Sequence, residues 1–288
     1  MARPIAATDG GYADISFDDA NVRWTQTPFP ALAVVHQMSE KTAMAPSGTS
    51  RSQAPNDFGR DWALHQRFAP EDGHDDPLGC DARPSWRGRV HLLGLLAAVP
   101  ALALLIVFAD GPRAIVGVSI YAAGLCAMLA ASTTYHRWVH DFRGRAAWRR
   151  ADHAMIFAAI AGSTTPIVLI VMPTGLGIAL LAVVWTMSAI GAVSKFGHWR
   201  RGDAIGTALY AAVSGLAALA LPALWVRGGV APAVLYLVSG GLYIFGARWF
   251  AKTWPRLRPA VFSYHEVWHV FTVAAAAVHF AAVWAIST

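Results

Sequence analysis

The chain has 288 residues, of which 56% are hydrophobic and 14% charged, with 12 Trp and a mean hydropathy of +0.42. This composition lies outside the range of soluble globular domains and fits an integral membrane protein, so nucleic acid is not an expected partner. Residues 1–85 hold 12 acidic and 7 basic residues (net −5), whereas residues 86–288 hold 5 acidic and 16 basic (net +11). Two chemically distinct regions therefore share the chain. Its two cysteines, Cys80 and Cys126, support neither a disulfide framework nor a cysteine zinc site.

Residues 1–85 contain no apolar run long enough to span a bilayer and no secretory signal pattern. The run "MAPSGTSRSQAPNDFG" from Met44 has the composition of disorder. A polar, mostly disordered tail is expected over 1–85, with a short apolar segment at Pro28 to Met38, and an upstream start codon chosen in error would also account for it. From Val90 onward, seven apolar segments approach the ~20 residues needed to cross hydrocarbon. They fall at about 90–109, 114–135, 152–172, 175–194, 204–225, 231–250 and 264–286. The expectation is an all-α membrane protein, with a seven-transmembrane helix bundle over residues 86–288. Lys and Arg concentrate in the loops after spans 2, 4 and 6, twelve against two on the opposite side. The positive-inside rule then puts the N-terminus in the cytoplasm and the C-terminus outside.

Ionisable side chains inside a membrane span are functional candidates. Five acidic residues follow position 85, and two of them, Asp152 and Glu266, stand at the inner ends of spans. In span 7, "HEVWH" places His265 and His269 four residues apart, about 40° around a helix and ~6 Å along it. In span 2, Ser132 and His136 share that spacing. All five residues Ser132, His136, Asp152, His265 and His269 fall at the depth of the inner leaflet. Two imidazoles at i and i+4 suit a zinc ion, and His136 at matching depth is the candidate third ligand. Three imidazoles leave a fourth position for water, whose pKa zinc lowers toward about 7. Asp152 is then placed to take the water's proton, and Ser132 to bond the water or a substrate carbonyl.

Each residue also has a plainer reading. Asp152 at a helix start is an N-cap, Ser132 bonds the carbonyl one turn back, and His265 with His269 form a paired interface. His91, His140, His153 and His198 read as interfacial histidines, and His279 as a packed one. His-Glu-x-x-His is also a zinc-protease string, with Glu266 as general base. That constellation needs a downstream third ligand, yet no acidic residue follows Glu266, position 275 is Ala275, and His279 points about 80° away from His269.

The chain resembles the hemolysin III family of the progestin and adipoQ receptor superfamily, which is related to alkaline ceramidases. The likeness covers about residues 84–288 and rests on "STTYH" ending span 2, Asp152, "AGSTTP" at Ala161 to Pro166, and "HEVWHVFTVAAAAVHF" in span 7. It implies a Zn²⁺ site near the cytoplasmic face, with His136, His265 and His269 as metal ligands and Asp152 and Ser132 as catalytic residues. Before span 1, where many members carry an acidic residue and Asn, this chain reads "RPSWRGRVHLLG", with His91 at the place of the motif's histidine. The implied function is zinc-dependent hydrolysis of a lipid amide or ester in the cell membrane, with membrane lipids as partners. The alternatives are a non-enzymatic receptor or stress-response protein with structural zinc, or a cytolysin as the family's name suggests.

Overall fold

The computed structural model describes residues 84–140, 142–196, 202–258 and 260–288. The expected tail lies outside these residues except for its last two, as does His198. Among the described residues, seven helical spans long and apolar enough to cross a membrane follow in order, built on α1 Arg89–Phe108, α2 Gly111–Thr133, α3 Phe142–Val171, α4 Thr174–Ser194, α5 Gly202–Ala217 (its span reaching Gly228), α6 Val230–Ala251 and α7 Tyr264–Ser287. Two of them extend through irregular turns. A π turn, Thr134–Trp138, continues α2. Beyond α5 the chain passes through a 3₁₀ turn, a short α segment and a second π turn, Leu224–Gly228. Pro222 within this stretch lacks the N–H that regular winding needs.

Six of the seven boundaries fall within a few residues of the sequence expectation. The third does not. α3 starts at Phe142, ten residues before Asp152, so Asp152 stands inside a helix and the N-cap reading fails. The run "RGRAAWRR" explains the difference. Arg and Ala are strong helix formers, and the positive charges mark where the helix leaves hydrocarbon, not where it begins.

Apolar side chains cover the outside. Val107, Val193 and Ile244 are 74%, 70% and 73% exposed, which water would penalise and lipid tails accept. The core lies between α1, α2, α3 and α7, around Leu102, Leu105, Val118, Leu125, Leu129 and Val168. α2 and α3 pack chiefly on each other, α4 lies against α3, α7 packs chiefly on α6, and α1 lies against both α2 and α7. α2 and α3 are the most buried spans, with 56% of their apolar windows inside the protein.

Small residues bring α2 and α3 together. A Cβ on Gly124 would stand 2.7 Å from the Ala158 carbonyl oxygen, and one on Gly117 would stand 2.7 Å from Pro166 Cα. Lipid tails supply no hydrophobic drive between helices, so backbone proximity of this kind carries the association. Around Pro166 the hydroxyls of Ser163 and Thr164 donate to the Ile160 carbonyl, and Thr165 donates to that of Ala161, at 2.7–3.0 Å. Trp185 Nε1 donates in turn to Thr165 Oγ1 at 3.2 Å, tying α4 to α3. Gly124→Ala is expected to destabilise the protein by about 1–3 kcal/mol through overpacking. Gly215→Ala, where a Cβ meets nothing within 4 Å, is expected to leave stability unchanged or slightly raised, as read by thermal unfolding in detergent.

Candidate metal centre

The turn before α1 sets the entrance to the site. Ser85 and Trp86 donate backbone hydrogen bonds to the carbonyls of Ala260 and Val261, both at 3.1 Å, pinning this turn to the loop that precedes α7. Arg87 then reaches Glu266, with Nε 2.6 Å from Oε1, and both side chains are buried. Gly88 follows with φ +76, and a Cβ there would stand 3.0 Å from His136 Cβ. Only glycine combines that backbone conformation with that close approach.

Glu266 is completely buried. Its Oε2 accepts from the backbone N–H of Ser263 at 2.8 Å, and the two residues form the capping box that starts α7. The carboxylate of the His-Glu-x-x-His string is thus committed to a cap and an ion pair, and the protease reading has no general base.

His136, His265 and His269 converge. His136 Nε2 lies 3.3 Å from His265 Nε2. The His136 ring centroid is 4.7 Å from that of His265 and 5.0 Å from that of His269, and the last two rings are 4.7 Å apart. Candidate ligand atoms from the three residues all lie within 4.8 Å of one another. Nitrogens that each bind zinc at ~2.0–2.1 Å with tetrahedral angles stand about 3.3–3.4 Å apart, the separation seen for His136 and His265. His269 Nδ1 is buried without a hydrogen-bond partner, an arrangement that costs free energy unless a cation or proton takes its lone pair. The donor set therefore fits a single metal ion.

His136 is carried by the π turn, where Val139 N bonds to Thr134 O at 3.2 Å. Such turns gather at functional sites because they re-aim side chains from within a helix. Asp152 Oδ2, from α3, lies 3.7 Å from His136 Nε2 and 4.0 Å from His153 Nδ1. Ser132 is 2% exposed. Its hydroxyl does not fold back on its own helix as the plainer reading had it; it pairs with His91 Nδ1 at 2.7 Å and interacts with Asp152.

His91 is the residue that sequence reasoning missed. It is 3% exposed, not interfacial, and its ring stacks on His269 at 3.8 Å and 15°. The signal was present, because His91 sits three residues into α1 at the level where α7 begins. His140 is exposed and His153, bonded to the Arg149 carbonyl at 2.8 Å, is part-buried, as interfacial histidines should be. His279 packs apart from the centre, with Nε2 donating to the Ser163 carbonyl at 3.1 Å and its ring beside Tyr121 and Tyr236.

Fold and site together define a multi-pass membrane protein with a candidate three-histidine metal centre among its buried helices. Residues 82–280 match the family described as Haemolysin-III related. Among relatives, Hemolysin-3 of Bacillus cereus is 30% identical over 193 residues, covering 66% of this chain and 85% of that protein. The Hemolysin-3 homolog of Bacillus subtilis (strain 168) is 28% identical over 193 residues, covering 66% and 87%. The chain belongs to the haemolysin-III related family, within the progestin and adipoQ receptor superfamily.

Glu266→Gln removes the charge of the buried carboxylate that Arg87 Nε meets at 2.6 Å. It is expected to lower unfolding stability by about 3 kcal/mol while metal stoichiometry stays unchanged, as measured by thermal unfolding beside metal analysis.

Proposed function

We propose that this protein is a zinc-dependent hydrolase of a lipid amide or ester, working at the inner face of the membrane. The observation that carries the reading is the convergence of His136, His265 and His269 with the Asp152 carboxylate 3.7 Å from one of their nitrogens. A bound zinc ion would supply Lewis acidity and bring a water's pKa toward about 7.

The chain's own residues supply the rest. Asp152 accepts a proton from the attacking water, and the Ser132 hydroxyl steadies the substrate carbonyl oxygen. The water oxygen bonds to the carbonyl carbon, the C–N or C–O bond breaks, and the proton held by Asp152 passes to the leaving nitrogen or oxygen. The products are a fatty acid and an amine or alcohol.

An apolar cavity of ≈ 160 Å³ between α1, α2 and α7 supports a lipid substrate. Its walls include Gly94, Leu129 and Val273, which stand one helical turn deeper in the membrane than His91, Ser132 and His269 respectively. An acyl chain lying there places its carbonyl end toward the histidines, and small residues such as Ala97, Ala98 and Ala101 leave it room.

The test uses purified protein in phospholipid vesicles with zinc, assayed for fatty acid release from acyl amides and acyl esters. His136→Ala is expected to lose both metal and turnover. Asp152→Asn is expected to keep the metal and lose about 10²–10⁴-fold in rate. Zinc-dependent stability without any turnover would replace this reading with a structural metal, and lysis of cells by the purified protein would replace it with a cytolysin.

A further inference from the structure

We propose that His91 is a positioning residue of the metal centre: its ring fixes the plane of His269 and its Nδ1 fixes the Ser132 hydroxyl, without itself binding the metal. The inference rests on the reading that His136, His265 and His269 hold a metal ion.

Geometry rules out ligation by His91 as it stands. A ring nitrogen binds a metal through a lone pair in the plane of its own ring. The His91 and His269 rings lie face to face, 3.8 Å between centroids and 15° from parallel. An ion in the plane of His269, ~2.0–2.1 Å from its nitrogen, therefore lies well out of the plane of His91. Its lone pairs and those of His269 do not converge.

The same stacking defines what His91 does. Metal-binding histidines are usually oriented by a hydrogen bond from the second ring nitrogen. Neither ring nitrogen of His269 has a hydrogen bond among the described residues, Nδ1 being fully buried, so whichever nitrogen meets the metal, the ring's orientation falls to the flat face against which it lies. α1 can come close enough because Gly94, one turn after His91, faces Val273, one turn after His269; a Cβ on Gly94 would stand 2.9 Å from Val273 Cγ2. At its edge, His91 Nδ1 meets Ser132 Oγ at 2.7 Å, while Nε2 is buried and unpaired. All of the ring's polar pairing is thus spent on Ser132, the hydroxyl that also interacts with Asp152.

Two substitutions separate the two roles. Phe keeps a flat ring and drops the hydrogen bond, whereas Asn keeps a polar atom near the position of Nδ1 and drops the ring. Full-length protein is loaded with zinc for chelator competition and with Co²⁺ for visible absorption. His91→Phe is expected to retain one equivalent of metal with affinity within about threefold of wild type. His91→Asn is expected to retain stoichiometry, weaken affinity by about tenfold and shift the Co²⁺ bands. In thermal unfolding, Ser132→Ala combined with His91→Phe is expected to be non-additive, as for residues in direct contact.

Equal metal affinity and identical Co²⁺ spectra in wild type and His91→Asn would overturn the proposal, as would additivity in the Ser132 cycle. Complete loss of metal in His91→Phe would make His91 a ligand and overturn it too. A wild-type protein that binds no metal would remove the underlying reading, and this proposal with it.

Discussion

A carboxylate buried at the inner end of a membrane helix requires a cation, and Arg87 provides it for Glu266. This pair does more than neutralise charge. It joins the turn before α1 to the first turn of α7, residues 179 apart in sequence, and two backbone hydrogen bonds to Ala260 and Val261 hold the same junction. With the two ends joined, α1 must run alongside α7, His91 falls against His269, and Gly88 crosses over His136. Replacing the pair with apolar residues would spare its desolvation cost but give up this registration, which is where buried ion pairs are best attested.

Among the described residues, polar groups from different helices meet in two places, although His91 Nε2 and His269 Nδ1 are left without hydrogen-bond partners. At the inner end, four imidazoles, a hydroxyl and a carboxylate interlock among α1, α2, α3 and α7. Deeper in the membrane, His279, Tyr121, Tyr236 and the Ser163 carbonyl form a smaller group, one turn before Pro166 on α3. Without water to satisfy stray donors and acceptors, polar side chains in a membrane persist only where partners are supplied. Ser163, Thr164 and Thr165 find partners within their own helix, whereas Ser132, Ser239 and His279 find theirs on a neighbouring one.

Much of this was readable from the residues. Hydropathy located seven spans because hydrocarbon thickness sets their length, and the i, i+4 pair on α7 with His136 at equal depth was enough to predict convergence. Asp152 was placed at the correct depth but in the wrong backbone context, because a basic run looks like a loop while Arg and Ala continue a helix without difficulty. Glu266 carried two overlapping signals, His-Glu-x-x-His and Ser-x-x-Glu; the second, a capping box, is the one the fold uses. His91 was hidden because its importance depends on α1 lying against α7. That contact is set by Gly94, Arg87 and distant chain segments, which periodicity does not relate.

The π turn at the end of α2 has a consequence for how the chain can be aligned and edited. One extra residue in a helical turn shifts the phase of everything beyond it, so a helical wheel drawn straight through residues 111–138 assigns the wrong outward face to the final turn. His136 is buried while Trp138, two positions on, is 58% exposed, and both stand on the wider, underwound π turn. Deleting a single residue between Thr134 and Trp138 and letting the helix regularise would leave most of the tell-tale letters in place yet swing the imidazole out of reach of its companions. The centre is encoded as much by a miscounted turn as by the histidines themselves.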